Sequence, residues 1–181
     1  MQDHRWIIAA QHGNAEDLSN LRSAVENGHV NAETWMAFYE HTTGNNVASA
    51  HWAWLASQSG QPVAESFLGT LFNRGWGISL DPRAAHAWWL RSAQTGVPDA
   101  LYNLGTTTSA GRGSVSNPVI GYALMQAAMI RGPRFPPMMQ NMARVRSHLT
   151  PQQYQHAARL AQGFASDPNS VPTPWSDTSK R

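Results

Sequence analysis

A repeat of 36 residues between Ala64 and Gly132 constrains the fold of this chain more than any other feature of its sequence. When the segment 64–96 is shifted by 36 residues, it falls on the segment 100–132 with leucine on leucine and glycine on glycine. The matched pairs are Ala64 and Ala100, Leu68 and Leu104, Gly69 and Gly105, Gly75 and Gly111, Gly77 and Gly113, Pro82 and Pro118, and Gly96 and Gly132. A fixed period of this length is typical of stacked supersecondary units and not of one globular core.

Each repeat is predicted to be a helix, a Gly-x-Gly loop, a second helix and a tight turn. Apolar residues recur at helical spacing over residues 64–72, which indicates an amphipathic helix. The glycines at 75 and 77 end that helix, because glycine adopts the left-handed conformation of a C-terminal cap at little cost. Asp81-Pro82 begins the second helix, since aspartate caps free amides and proline suits the first helical position. Gly69 lies inside the first helix and predicts a close approach of another helix there.

This unit resembles the repeat of the Sel1-like repeat family. The family motif is Ala-x-x-x-Leu-Gly-x-x-Tyr, a Gly-x-Gly-Val loop, an Asp before the second helix, Ala-x-x-Trp and a closing Ala-Ala-x-x-Gly. The first unit matches it at Ala64, Leu68, Gly69, Phe72, Gly75, Gly77, Ile78, Asp81, Ala85, Trp88, Ala93 and Gly96. The second departs from it at Thr108, Ser114, Gly121 and Leu124. Tetratricopeptide repeats are the nearest rival, but their period is about 34 residues and they lack the Gly-x-Gly loop.

The predicted fold is all-α, a right-handed α-solenoid of antiparallel helix pairs with atypical capping helices at both ends. Helices are expected at 3–12, 15–27 and 137–148, and a last one after Thr150, where Gln153 completes a capping box. The expected organisation is one domain over 1–165 and a disordered tail over 166–181. Within that domain we expect a degenerate cap at 1–28, repeats at about 32–60, 64–96 and 100–132, and capping helices at 136–165.

Composition excludes several classes of protein. Hydrophobic residues make up 41% and charged residues 13% of the chain, which favours a folded domain. The chain has no cysteine, so it has neither disulfides nor a thiolate zinc site, and a reducing compartment suits it. The apolar run near the first residues is too short for a secretory signal, and no segment is predicted to span a membrane. We therefore expect a cytoplasmic protein, and the ratio of twelve arginines to one lysine favours a GC-rich bacterial genome.

Charge is unevenly distributed along the chain. Residues 1–103 carry nine acidic residues and five arginines, whereas residues 104–181 carry two acidic and eight basic residues. Two interpretations stay open: an ordinary solvated surface, or a C-terminal half that faces a partner protein with an acidic surface. Nucleic acid is not expected as a partner, because the arginines are scattered and no binding motif accompanies them.

The resemblance implies that the first helix of each pair lines the inner surface of a solenoid. Along these helices, alanine, leucine and glycine recur from unit to unit, while other positions vary and are free to answer a partner. The predicted partner-binding residues are Trp35, Tyr39, Phe67, Leu71, Asn103 and Thr107 on the helices, with Arg74 and Arg112 beside the Gly-x-Gly loops. The alternative is that the aromatic residues belong to the core and that the arginines compensate helix dipoles. Among the tryptophans, Trp52 and Trp88 are predicted to be core, and exposure is expected among Trp54, Trp76 and Trp89.

No pattern in the sequence predicts catalysis. The eight histidines contain no i, i+4 zinc pair with a nearby glutamate, and neither a Gly-x-Ser-x-Gly elbow nor a phosphate loop is found. We therefore expect no enzyme, no cofactor and no metal, but a scaffold or adaptor that is a monomer or a weak homodimer. The resemblance implies the same, since Sel1-like proteins are mainly adaptors and assembly factors, and several bacterial ones act in signalling, secretion or toxin immunity. The alternatives are a hydrolase that uses the groove as a cleft, and a structural protein that self-assembles through exposed tryptophans.

Overall fold

A computed structural model of the protein describes residues 15–29, 31–133 and 136–173. Within these ranges the regular structure is entirely helical, which confirms the predicted all-α class. The α-helices are α1 (Ala15–Glu26), α2 (Ala32–Thr42), α3 (Asn46–Gln58), α4 (Pro62–Arg74), α5 (Pro82–Ala93), α6 (Pro98–Ala110), α7 (Pro118–Arg131), α8 (Pro136–Arg146) and α9 (Pro151–Ser166). The helix predicted at 3–12 and the predicted tail anchor Trp175 lie outside the described residues.

The chain divides into two compact units between Asp81 and Pro82. In the N-terminal unit, each helix from α1 to α3 packs on the next one, and α2 also contacts α4. In the C-terminal unit, α5 packs on α6, α6 on α7, and α7 on both α8 and α9, while α6 also contacts α8. The boundary falls inside the repeat predicted at 64–96, so its two helices belong to different units.

The core of the N-terminal unit begins between α1 and α2. Leu21 and Ala24 of α1 are buried against Ala32 and Met36 of α2. Several partly buried side chains pack on this group: Leu18, Val25, Trp35, Tyr39 and Trp52. The degenerate cap predicted before residue 28 therefore contributes a packed helix, because its apolar residues recur at helical spacing.

Glycines allow α6 and α7 to cross in close contact. A Cβ atom added at Gly105 would lie 2.6 Å from the carbonyl oxygen of Gly121, and one added at Gly121 would lie 2.6 Å from the carbonyl oxygen of Gly105. Any side chain at either position would force the helices apart. The close approach that the mid-helix glycine predicted is thus found at Gly105, where α7 is the helix that approaches.

The second glycine of each Gly-x-Gly loop makes the same contact in both units. A Cβ at Gly77 would clash with the backbone of Asn46 at the start of α3, and a Cβ at Gly113 would clash with the backbone of Pro82 at the start of α5. Both glycines have positive φ, 70° and 81° respectively. Since Asn46 and Pro82 are themselves 36 residues apart, the period observed in the sequence is also a period of backbone contacts.

The C-terminal end of the described chain is more ordered than its composition predicted. The capping box is confirmed, because Thr150 accepts a bond from the amide of Gln153 and the Gln153 side chain accepts one from the amide of Thr150. Residues Pro168–Ser170 then form a 3₁₀-helix, and Val171 is buried. The part of the predicted tail that the structure describes, as far as residue 173, thus contains a short helical turn and one buried apolar side chain.

The tryptophans of α5 exchange their predicted roles. Trp89, which was expected to be a candidate for exposure, is buried, whereas Trp88 is only half-buried and the guanidinium of Arg91 lies 5.5 Å from its ring. The buried side of α5 follows Ala85, Trp89 and Ser92, and Trp88 lies about 100° away around the helix from Trp89. A recurring tryptophan is therefore not by itself evidence of a core position.

Candidate protein-binding surface

One stripe of α4 stays outside the core of the N-terminal unit. Val63, Phe67, Thr70 and Arg74 follow one another at helical spacing, and each is exposed or half-buried. Between them, the residues from Ala64 to Ser66, then Leu68, Gly69 and Leu71, are buried. Val63 is 48% exposed, although it is a valine in a well-packed helix. The stripe therefore presents apolar side chains to solvent and ends in one positive charge.

The neighbouring helix α2 adds aromatic side chains to this stripe. The rings of Phe38 and Phe67 lie 4.5 Å apart between centroids, and those of Trp35 and Phe38 lie 5.6 Å apart. All three side chains are half-buried. We call the surface formed by Trp35, Phe38, Val63, Phe67, Thr70 and Arg74 the α2–α4 face.

His41 connects the α2–α4 face to the loop that follows α4. Its ring lies 5.5 Å from that of Phe67 and 4.7 Å from that of Trp76 between centroids. Its Nδ1 atom is 2.9 Å from Oδ1 of Asn46, so Nδ1 donates to that oxygen. The guanidinium of Arg74 lies 5.8 Å from the centre of the Trp76 ring. Rings and guanidinium thus form a continuous series of contacts from α2 to the loop.

Further apolar side chains are exposed around that loop. Val47 and Leu80 are both exposed, and Trp76 is 37% exposed. They lie close together, because Gly77 rests against the backbone of Asn46 and Val47, and a Cβ at Gly75 would lie 3.5 Å from that of Leu80. Exposed apolar groups gathered at one place, with tryptophan among them, are typical of surfaces that bind other proteins.

The predicted partner-binding residues separate into exposed and buried ones. Trp35, Phe67 and Arg74 belong to the α2–α4 face, whereas Tyr39 is half-buried and packs on the core between α1 and α2. Leu71 is completely buried, so its side chain is part of the core and is removed from the candidate surface. This correction has a geometric cause, since Leu71 lies 40° around the helix from Phe67 toward the buried side.

In the C-terminal unit the same separation occurs. Thr107 is buried and its hydroxyl donates to the carbonyl of Asn103 at 2.9 Å, so it too is removed from the candidate surface. Asn103 is half-buried and Arg112 is exposed. These two residues remain candidates, although among the described residues no ring contacts like those of Phe67 with Phe38 and His41 are found at Asn103 or Arg112.

Several residues of the surface were missed in the sequence. Phe38, His41 and Val63 were not predicted to contribute, and Trp76 was considered only as an exposed tryptophan. Val63 lies four residues before Phe67, so helical periodicity extended toward the start of α4 contains the signal. For Phe38 and His41 no sequence signal existed, because their roles depend on how closely α2 approaches α4.

A polar cluster occupies the contact between α6 and α8 in the C-terminal unit. Nδ2 of Asn141 lies 3.3 Å from the hydroxyl of Tyr102 and 3.1 Å from that of Thr106, and it donates to both. The guanidinium of Arg144 donates to Oδ1 of Asn141 at 2.6 Å. The carboxamide of Asn141 is therefore fully engaged within the protein, which identifies this cluster as a structural bridge between two helices.

Titratable groups within the described ranges form no group of three that would hold a metal ion. His86 of α5 is buried, its Nδ1 atom has no hydrogen-bond partner, and burial lowers its pKa below the ordinary 6.5. A shallow groove of about 400 Å³ lies on α1 and is lined by Leu18, Ser19, Arg22, Ser23 and Glu26. None of the described helices is long and apolar enough to cross a lipid bilayer.

Comparison with solved structures gives two neighbours with a similar helical fold. One is a protective antigen present in uropathogenic Escherichia coli strains and displaying an SLR fold, with a TM-score of 0.80 and 21% sequence identity over 91% of this chain and 38% of that chain. The other is a Sel1 repeat protein from Oxalobacter formigenes, with a TM-score of 0.59 and 26% identity over 72% of this chain and 98% of that chain.

Comparison with characterised sequences gives a short match. Over 60 residues, 33% of this chain, the sequence is 37% identical to chitin synthase regulatory factor 3 of Schizosaccharomyces pombe, of which the match covers 6%. The chain thus spans 38% of the first structural neighbour and a small part of the yeast protein. No family model matches the sequence.

Proposed function

We propose that this chain, whose fold is similar to that of Sel1 repeat proteins, acts as a protein-interaction scaffold that holds a partner protein on its α2–α4 face. One observation carries the proposal. Helix α2 places Phe38, and helix α4 places Val63 and Phe67, at the same surface. Repeat proteins of paired helices use such surfaces to bind peptides, helices or folded domains.

The energetics of the α2–α4 face favour binding. Aromatic side chains bury large areas when covered, and tryptophan and arginine are frequent among the residues that dominate binding energy. The half-buried rings are already held by their neighbours, so a partner loses little side-chain entropy when it orders them further. Phe67, which contacts both Phe38 and His41, is expected to be the central contact.

The finer role that we propose is that of a bacterial adaptor in the cytoplasm, with a function in regulation, secretion or toxin immunity. The arginine-rich composition and the two bacterial structural neighbours support the bacterial assignment. A regulatory role has support from the yeast relative, whose name describes a regulatory factor. We further propose that Asn103 and Arg112 provide a second contact in the C-terminal unit for an acidic partner surface, and that the free protein is a monomer.

Site-specific photo-crosslinking tests the proposed surface directly. A photoreactive phenylalanine analogue is placed at Val63 in one variant and at Ile130 in another, and each full-length variant is irradiated in extracts of the producing cell. Ile130 is a matched control, because it is 47% exposed against 48% for Val63 and lies on α7 of the C-terminal unit. We expect a discrete adduct from position 63 that Phe67→Ala abolishes and that position 130 does not give.

Three outcomes contradict the proposal. Equal adducts from both positions indicate non-specific proximity, and no adduct from position 63 indicates that the α2–α4 face is not covered. A small-molecule turnover that persists after substitution of Val63 and Phe67 indicates a hydrolase with its site elsewhere. Circular dichroism of each variant confirms that folding is retained, because Phe67 contributes to packing as well.

A further inference from the structure

We propose that the segment held on the α2–α4 face is an apolar peptide that carries a carboxylate, and that this carboxylate pairs with Arg74. The inference depends on the proposed function, since it identifies the chemistry of the partner for that same face. Its basis is the position of a single positive charge at one end of an otherwise uncharged apolar surface.

The geometry around Arg74 prepares its guanidinium for an anion. Arg74 is exposed at the last turn of α4, and its guanidinium carbon lies 5.8 Å from the centre of the Trp76 ring. A cation–π contact with the ring restricts the guanidinium, whose N–H groups match the two oxygens of a carboxylate. Trp76 is itself fixed, because its ring lies 4.7 Å from that of His41.

The remaining residues of the face determine what must accompany the carboxylate. Val63 and Phe67 precede Arg74 by eleven and seven residues on α4, which corresponds to about 16 Å and 10 Å along the helix axis. Trp35 and Phe38 lie on the adjacent helix beside Phe67. A matching segment therefore has apolar or aromatic side chains over roughly three helical turns and its acidic group at the end near Trp76.

The net charge of the N-terminal unit limits how acidic the partner is. Residues 1–81 contain eight acidic residues and three arginines, so further acidic groups of a bound partner would meet mostly like charges on this unit. Charges separated by more than about 8 Å are largely screened at physiological ionic strength. One carboxylate close to Arg74 is therefore favourable, whereas a strongly acidic sequence is not.

A peptide-display selection followed by a double-mutant cycle tests this inference. Random 12-residue peptides are selected on the full-length protein, and peptides whose binding Val63→Glu abolishes are synthesised in two forms, one acidic and one with the acid replaced by its amide. Affinities for the protein and for Arg74→Ala are measured by fluorescence anisotropy. We expect the selected peptides to contain an acidic residue beyond an apolar stretch. The amide form and Arg74→Ala should each weaken binding about fivefold, with no further loss when they are combined.

Matched variants separate failure of the inference from failure of the proposed function. Arg22→Ala removes another exposed arginine of the same unit, on α1, and should leave the affinity unchanged. Two results refute the proposed carboxylate but leave the binding surface supported. Either the selected peptides need Val63 and Phe67 but contain no acidic residue, or the losses of affinity from the amide form and from Arg74→Ala add together. Failure to select any peptide that is sensitive to Val63→Glu overturns the face itself.

Two other occupants of the face are outcomes of the same experiment. If a second copy covers it, light scattering shows a dimer that Val63→Glu dissociates and that peptides compete with. If the chain's own residues 174–181 cover it, a variant ending at residue 173 binds the peptides more tightly than the full chain. Either result overturns the proposal of a partner peptide, and a monomer with unchanged affinity after truncation supports it.

Discussion

The exposed stripe of α4 and its equivalent on α6 are alike in position and opposite in chemistry. Val63, Phe67, Thr70 and Arg74 of α4 correspond, 36 residues later, to Asp99, Asn103, Thr106 and Ala110 of α6. In both helices the first and last residues of the stripe are exposed and the middle two are half-buried. The repeat therefore determines which positions face solvent, and it leaves their chemical character free.

The contact between α2 and α4 is aromatic, whereas the contact between α6 and α8 is polar. In the N-terminal unit, α2 meets α4 through the aromatic pair Phe38 and Phe67. In the C-terminal unit, α6 meets α8 through hydrogen bonds from Asn141 to Tyr102 and Thr106. An aromatic contact leaves ring faces available to a partner, whereas both N–H groups of the Asn141 carboxamide already donate within the protein and its oxygen accepts from Arg144. This difference explains why the binding surface is proposed for the N-terminal unit.

The largest loss of stability is expected at the second glycine of the Gly-x-Gly loop, a feature that the two units share. Gly77→Ala and Gly113→Ala should each destabilise the protein by about 3 kcal/mol or more, because the added Cβ clashes with backbone and the left-handed conformation is strained. Gly60→Ala is the control, with φ of 71° and open space around it, and should cost about 1 kcal/mol. Urea unfolding followed by circular dichroism measures all three. Equal stability of the three variants would refute a common loop contact.

The next effect separates the two stripes. Phe67→Ala should cost about 2 kcal/mol, since a half-buried ring and its contacts with Phe38 and His41 are lost. Asn103→Ala, at the equivalent position, should change stability by less than about 0.5 kcal/mol. The free energy of unfolding in urea is the measurement for both. If the two substitutions lower the free energy of unfolding equally, the aromatic and the polar stripe do not differ in their contribution to stability.

A smaller effect is expected where α6 meets α8. Asn141→Ala removes two donated hydrogen bonds and leaves Arg144 without its acceptor, and it should destabilise the protein by about 1 kcal/mol. Gln140→Ala, one residue earlier and exposed, is the control and should be nearly neutral. Thermal unfolding compares the two. An equally neutral Asn141→Ala would show that burial alone, without these bonds, holds α8 on α6.

The smallest effect is a pH dependence that is confined to the C-terminal unit. Burial lowers the pKa of His86, so near and below pH 6.5 the unfolded chain binds a proton more readily than the folded one. The stabilisation is complete above pH 6.5 and is lost as the pH falls toward the folded-state pKa. His86→Gln should flatten this part of the curve of unfolding free energy against pH. An unchanged slope would mean that the pKa of His86 is the same in the folded and the unfolded protein.

Some features of the fold follow from short stretches of sequence. The caps at Asn117 and Thr150 and the left-handed glycines at 75 and 111 are local, since each depends on a side chain or backbone within one turn. The α1 helix was likewise predicted from apolar spacing alone. Local signals failed where burial depends on a distant element, as at Trp88 and Trp89, whose exposure is set by the helices that pack around α5.

The candidate surface was predictable in part. Trp35, Tyr39 and Phe67 were predicted because residue type varies there while the packing positions repeat, and Arg74 was predicted because it flanks the Gly-x-Gly loop; all four are exposed or half-buried. Leu71 shares that variability, but it is buried, because variability does not distinguish solvent from the edge of a core. Phe38 and His41 could not be found, since nothing in the spacing along α2 shows which side chains meet α4.

The sequence by itself determined the period, the helices and their ends. These features arise from interactions within a few residues and from glycines that end helices in the left-handed conformation. Only the tertiary structure decided which apolar side chains remain at the surface. It also decided two close contacts, that of the Asn46 backbone with Gly77 and that of the Pro82 backbone with Gly113. The physical reason is that burial and close approach are properties of pairs of helices. A residue's identity limits them, but the position of its neighbour in space decides them.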